Sequence, residues 1–280
     1  MKVWGLNSAN SQLKKSWFSS PREGFSRLMQ VMQDQEWSES IPMLSWAIEH
    51  PREGIILVDA GEHPRALEQK NYPALNRMLN RNMVRFPEPF QPALDQQLKA
   101  KGIHASDVSH IIITHLHQDH VGYLSLFPKA RVLVSRAEFE ATEKPFAHMK
   151  GYWPSLFPES FKPDLVDFKD GTFHNFESSK MLFDDLWVVP TPGHSPGHQS
   201  VIVKSQGRYL VLAGDVTPSM KYFELDTVDM VSAVGGPQQA RQSKQKMVQF
   251  TKEQHALYLP SHCSTSLPRL EAFYQQKTLA

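Results

Sequence analysis

His115-Leu116-His117-Gln118-Asp119-His120 puts four potential metal ligands into six residues. It directly follows Val108-Ser109-His110-Ile111-Ile112-Ile113-Thr114, an apolar, β-branched run that reads as a buried strand. Side chains alternate along extended backbone, so His115 and His117 are expected on one side, with Leu116 turned to the core. Asp119 and His120 fall where the chain must turn, and can address a second ion beside the first. Neutral imidazoles with a carboxylate suit zinc and comparable first-row ions. A single histidine near a strand end often only hydrogen-bonds. This density and order of ligands reads as a metal site.

Further ligands are expected at the ends of other apolar strands. Leu186-Trp187-Val188-Val189 runs into Pro190-Thr191-Pro192-Gly193-His194. Arg208-Tyr209-Leu210-Val211-Leu212-Ala213-Gly214 ends at Asp215, and Ala256-Leu257-Tyr258-Leu259 runs through Pro260-Ser261 to His262. Each segment delivers one ligand-competent residue just past its last apolar position, where loops on a sheet scaffold collect reactive groups. A lone histidine is weak evidence; His194 and His262 gain weight from the six-residue motif.

Taken together, Thr-His-Leu-His-Gln-Asp-His-Val-Gly (114–122), Thr-Pro-Gly-His-Ser-Pro-Gly-His (191–198), Ala-Gly-Asp (213–215) and Pro-Ser-His (260–262) resemble the metallo-β-lactamase superfamily. Leu57-Val58-Asp59-Ala60-Gly61 is similar to its early strand and turn, and the resemblance spans about residues 40–270. It implies an α/β fold, an αββα sandwich of two mixed β-sheets with helices on both outer faces and metals at one edge. The expected organisation is one domain over residues 1–280, with 1–40 forming an N-terminal strand and a pocket-lining segment. By the resemblance, His115, His117 and His194 hold one divalent ion, Asp119, His120 and His262 hold another, and Asp215 bridges them. Asp215 resembles the lactonase, glyoxalase II and tRNA-processing branches. Flavodiiron-type proteins instead have Glu at the position of His117, and antibiotic-degrading relatives lack a bridging Asp.

Composition agrees with a compact enzyme. A chain of 280 residues, 40% of them hydrophobic, can bury a sizeable core. A net charge of +1 without a basic block gives no electrostatic case for nucleic acid or a membrane surface. The first residues lack the apolar stretch of a signal peptide, and no apolar run approaches the roughly 20 residues that span a bilayer. Cys263 is the sole cysteine, so no internal disulfide can form, which fits a reducing compartment. The expected location is cytoplasmic. A small-molecule ester or lactone is the expected partner, and a homodimer is admitted.

Three residues near the ligands take supporting readings. Cys263 adjoins His262, but adjacent side chains rarely reach one ion, so it reads as a small buried side chain. His198 reads as packing or hydrogen-bonding behind the site. Asp59 suits a carboxylate that receives the second ring N–H of a metal-bound histidine. Elsewhere, Pro87, Pro89 and Pro92 break any long helix in 75–100, which reads as loop plus short helix. Residues 91–101, stopped by Gly102, and 241–253 read as amphipathic helices. Two aromatic and Met-rich segments read as pocket lining or as packing: Trp17, Phe18, Phe25, Leu28, Met29 and Met32; and Phe139 to Phe176, with Phe146, Met149, Tyr152, Trp153, Phe157 and Phe161.

Two cations, with zinc expected and manganese, iron or cobalt tolerated, would lower the pKa of a shared water. The resulting bridging hydroxide attacks a carbonyl, and Asp119 orients it and carries a proton to the leaving group. The layout most resembles the N-acyl-homoserine lactonase-like family, which implies a lactone substrate. Quorum-quenching lactonases often place a Tyr three residues after the bridging Asp; here that position is Pro218. Whether Tyr222, four residues further on, takes that place is left open. A glyoxalase II-type thioesterase, a phosphodiesterase or nuclease, and a mono-iron persulfide dioxygenase are the alternative readings, and a protein that merely holds metal is the non-enzyme one.

Overall fold

A computed structural model describes residues 1–68, 82–159 and 161–276 of the chain. The larger sheet begins as an antiparallel meander of β1 (Lys2–Leu13), β2 (Ile41–His50) and β3 (Gly54–Val58), with the two-residue β4 (Val84–Arg85) on the outer edge of β1. It continues through β5 (Val108–Ile112), β6 (Arg131–Ser135) and β7 (Asp164–Val166), all parallel to β3, giving the order β4-β1-β2-β3-β5-β6-β7. The second sheet holds β8 (Lys180–Phe183), β9 (Leu186–Pro190), β10 (Gln199–Ser205) and β11 (Arg208–Leu212) as antiparallel neighbours, with β12 (Leu257–Leu259) parallel to β11. Both sheets are therefore mixed.

The period-two alternation of the strands sorts side chains into layers. Trp46, Val58, Ile112 and Leu133 of the first sheet share a buried cluster with Val188, Val201, Leu210 and Leu212 of the second. Their neighbours Leu57 and Ile111 belong to a different cluster, with Leu94 and Leu98 of a short helix. On the second sheet Val189, Ile202 and Val211 join Met247 and Phe250 of a long helix. Full burial of each such side chain contributes about 1.5–3 kcal/mol. Two facing sheets with helices on the outer faces form the αββα sandwich.

Helices lying wholly within the described residues include α1 (Lys15–Phe18), α2 (Gly24–Gln33), α3 (Leu94–Lys99), α4 (Gln118–Val121), α5 (Arg136–Thr142), α6 (Met230–Gly235), α7 (Pro237–Glu253) and α8 (Ser266–Gln275). Two are bounded differently from expectation. The helix read over 91–101 is only α3, because Ala93 is still extended (ψ 152°) and serves as the residue before its first turn; Gly102, at φ 79°, follows its end. The helix read from 241 starts earlier, at Pro237, whose missing N–H costs nothing in a first turn. Its buried positions Ala240, Ser243, Lys244, Met247 and Phe250 keep to one face. Of the stretch 75–100, residues up to 81 lie outside the described residues; beyond β4 the chain is irregular until α3. No helix among the described residues is long and apolar enough to cross a membrane.

This topology gathers the functional loops. β3 and β5 are parallel, β11 and β12 are parallel, and β9 runs in the same sense as β11 because β10 is antiparallel to both. The segments following β3, β5, β9, β11 and β12 carry Asp59, the 115–120 motif, His194, Asp215 and His262.

Candidate metal centre

β5 ends at Ile112, two residues before the expected Thr114, and the chain leaves the sheet there. Asp59 catches it: Thr114 donates its N–H to Asp59 Oδ1 (2.8 Å) and its hydroxyl to Oδ2 (2.9 Å). Asp59 itself takes a left-handed backbone (φ 61°), which Asp tolerates better than most residues. His115 and His117 lie together, ring centroids 4.4 Å apart, while Leu116 is buried in the core cluster. The alternation expected from the sequence is what is observed. α4 then turns the chain, carrying Asp119 and His120.

The seven residues singled out from the sequence come together in two groups. Donor atoms of His115, His117 and His194 lie within 4.8 Å of one another, as do those of Asp119, His120, Asp215 and His262. His117 Nδ1 is 3.1 Å from His194 Nε2. In the second group, Asp119 Oδ2 is 3.3 Å from His262 Nε2 and 3.6 Å from His120 Nε2. Asp215 reaches both groups: its Oδ2 is 3.4 Å from His194 Nε2, 3.9 Å from His115 Nε2 and 3.2 Å from His262 Nε2, and its Oδ1 is 3.5 Å from His120 Nε2. A tetrahedral ion with bonds of about 2 Å needs donors roughly 3.3 Å apart. The donor separations fit.

Satisfied and orphaned atoms divide in a way that also fits cations. His120 Nδ1 lies 2.7 Å from Asp59 Oδ2, His262 Nδ1 is 3.0 Å from the Pro42 carbonyl, and His115 Nδ1 is 3.1 Å from the Thr114 hydroxyl. The opposite nitrogens of His115 and His120, with Asp215 Oδ1, are buried without a hydrogen-bond partner. A buried polar atom left unpaired is costly, and coordination would satisfy all three.

Protonation follows the same pattern. Burial, reinforced by neighbouring imidazoles, holds His115 well below the usual histidine range and His117 down at about 3, so both rings are neutral. Burial opposes a proton on His120, His194 and His262 too, yet carboxylates prevail: Asp59 and Asp119 raise His120, Asp229 and Asp215 raise His194, and Asp215 and Asp119 push His262 up to about 10. Burial works against ionised Asp119 and Asp215 as well, but His120 and His262 keep both low. These acids draw positive charge into the site, and metal binding releases such protons.

The supporting residues are in place. His198 accepts a hydrogen bond from the Asp215 N–H at Nε2 (3.0 Å), with Nδ1 2.8 Å from the Thr191 hydroxyl. Gly214 (φ 58°) allows this close approach, since a Cβ there would stand 2.6 Å from His198 Nε2. The Cys263 sulfur faces Met220 N–H and the Thr265 hydroxyl. Asp229 is the partner that sequence reading missed: its Oδ1 lies 3.3 Å from His194 Nδ1, and its side chain also caps α6 through Ser232. Only the pattern Asp229-Met230-Val231-Ser232 hinted at a helix cap, and nothing in it named His194.

The aromatic segments divide between packing and surface. Trp17, Leu28 and Met32 pack around Val31, Met83 and Met230, whereas Phe25 is exposed. Phe139, Phe157 and Phe161 pack onto the core that contains Tyr152, whereas Phe146 and Met149 are 69% and 56% exposed. Tyr152 bridges His117 through the backbone, which brings this segment to the site. The Tyr222 ring stacks on Phe18 at 5.8 Å between centroids.

An αββα sandwich with two ligand groups at the strand ends defines a class, and residues 42–262 match the family described as the metallo-beta-lactamase superfamily. The chain belongs to that superfamily. Within it, the chain is 31% identical over 163 residues to the N-acyl homoserine lactonase AttM of Rhizobium radiobacter, covering 52% of this chain and 60% of that protein. It is 29% identical over 179 residues to the N-acyl homoserine lactonase of Bacillus cereus, covering 62% of each. These matches span somewhat less than two thirds of either relative's length. Among solved structures, B. thuringiensis AiiA with N-decanoyl-L-homoserine bound at its active site superposes with a TM-score of 0.73 at 20% identity, covering 99% of this chain and 95% of that one.

Proposed function

We propose that the chain is a metal-dependent hydrolase that opens lactones, with N-acyl-homoserine lactones as the substrate class and loss of such signals as its consequence. In this reading it works as one domain in the cytoplasm and takes two divalent cations, zinc first among them. His115, His117 and His194 hold one, Asp119, His120 and His262 hold the other, and Asp215 lies between. The observation that carries the reading is Asp215, whose oxygens come within 3.2–3.9 Å of histidine nitrogens from both groups. The curated lactonase relatives support the substrate class.

Two cations held by these residues would supply Lewis-acid activation of a water and of the scissile carbonyl near neutral pH. The protein does the rest. Asp119 is the most open of the second group, its side chain 19% exposed against 1–11% for His120, Asp215 and His262. It can therefore orient the attacking oxygen, take up its proton and return that proton to the departing alkoxide. Asp59 holds the ring of His120 from behind, and the Asp229 carboxylate faces Nδ1 of His194 at 3.3 Å. Exposed Phe146 and Met149, on the segment that bridges His117, offer apolar surface to an acyl tail.

A panel of lactones, aryl esters, thioesters and phosphodiesters assayed with metal-defined protein tests this reading. Lactone turnover should rise with tail length, each CH₂ adding up to about 0.8 kcal/mol until the surface is covered. Flat efficiency across the lactones, with clear turnover of phosphodiesters or glutathione thioesters, would contradict it.

A further inference from the structure

Glu138 is fully buried on α5, although nothing in the chemistry above uses it. Its Oε1 accepts the Leu116 N–H (2.9 Å), and its Oε2 accepts the Ser195 hydroxyl (2.7 Å) and the Gly197 N–H (3.0 Å). Burying a carboxylate is costly, and these bonds go to backbone and serine donors rather than to a cation. The identity of those donors matters. Leu116 lies between His115 and His117, and Ser195 is the residue after His194. One side chain thus holds the backbone between His115 and His117 and, through the Ser195 hydroxyl and the Gly197 N–H, the loop that carries His194.

A second observation comes from the backbone. The first turn of α5 is pressed against the 195–197 loop so closely that a Cβ on Gly197 would stand 2.0 Å from Glu138 N. Ser135, which caps α5 by accepting the Glu138 N–H, also donates its hydroxyl to the Gly197 carbonyl (2.5 Å). The contact is built from both sides. Across it, His117 Nδ1 and His194 Nε2 come from different loops and stand 3.1 Å apart, so loop separation sets the width of that site.

We infer that Glu138 is a positioning residue that sets the distance between the His115–His117 and His194 loops and so tunes ion affinity at the first site. The inference rests on the proposal that these three histidines hold an ion. It separates the sites: Glu138 touches neither Asp119, His120 nor His262 through any of the three bonds described. Replacement by Gln keeps the shape but turns one acceptor into an NH₂ donor. Whichever way the amide is turned, it then meets Leu116 N–H on one side or the Ser195 and Gly197 donors on the other.

The test is metal binding resolved by site: chelator competition with cobalt, plus anomalous occupancies from crystals grown at limiting cobalt. Glu138→Gln should weaken the first site by about 10–100-fold, the scale for outer partners of metal ligands, and leave the second unchanged. Ser195→Ala removes a single donor and should give a smaller loss at the same site. Equal weakening of both sites, or unchanged affinities in a folded Glu138→Gln protein, would overturn the assignment. If that variant does not fold, Ser195→Ala decides by the same criteria. A wild-type chain that holds no ion at His115, His117 and His194 would overturn the metal reading itself, a different failure from two well-filled sites indifferent to both substitutions.

Discussion

Asp59 Oδ2 lies 2.7 Å from Nδ1 of His120, with both side chains buried. The same carboxylate receives the N–H and hydroxyl of Thr114, so one residue fixes both the entry to the ligand motif and its last histidine. Holding Nδ1 in this way leaves Nε2, which has no hydrogen-bond partner, for a cation.

Replacing Asp59 with Asn keeps the shape and removes the charge that orients His120. Ion affinity at the second site should fall about 10–100-fold. Chelator competition checks this, and an affinity equal to wild type would show that His120 is held without Asp59.

Asp229 has two tasks that substitution can separate. Its carboxylate faces His194, and its side chain accepts the Ser232 N–H as the cap of α6. Asp229→Ser keeps a capping hydroxyl and loses the carboxylate, whereas Asp229→Ala also loses the cap, worth about 1 kcal/mol. In the metal-stripped protein both variants should be less stable than wild type, because the Asp229–His194 charge pair is lost, with the Ser variant keeping more stability than the Ala variant; the Ser variant should still bind metal more weakly at the first site. Equal metal affinity in the Ser variant and wild type would confine Asp229 to capping.

Asp119→Asn removes the proton acceptor while leaving the first ligand group intact. Turnover on the best substrate should fall roughly 10²-fold or more, with one ion still bound. Steady-state kinetics beside metal analysis reads both, and unchanged turnover would exclude the proton-carrying role.

His198 gives the metal-stripped protein a pH dependence with a definite sign. Burial, with the nearby charge of His194, holds its ring at about 3 against an ordinary 6.5, and Nε2 must stay unprotonated to accept the Asp215 N–H. Above pH 6.5 the ring is neutral folded or unfolded, so the stability is fully present. Between 6.5 and 3 the unfolded chain takes a proton that the folded one refuses, so stability falls as pH falls. Urea unfolding at pH 7, 6, 5 and 4 should show this loss, shallower in His198→Gln. Parallel curves for the two proteins would contradict it.

The sandwich and its metal-site candidates were legible because their signals are local. Ile111-Ile112-Ile113 marks a buried strand, and His115 to His120 packs four donors into one turn beyond it. Each later donor follows a recognisable apolar run. Asp229 and Glu138 were not legible for the opposite reason. Their partners lie 35 and 22 or more residues away, and only the approach of separate loops gives an ordinary helix-start Asp or a helix Glu its role. Two helix starts were not legible: Ala93 stays extended ahead of α3, and Pro237, whose missing N–H costs nothing in a first turn, starts α7 early.

Anomalous diffraction at the metal edge, from crystals of the metal-replete protein, addresses the central claim most directly. Two peaks are predicted about 3.5–4 Å apart, one among His115, His117 and His194, the other among Asp119, His120 and His262, with Asp215 between them. A single peak, or peaks away from these seven side chains, would contradict the account.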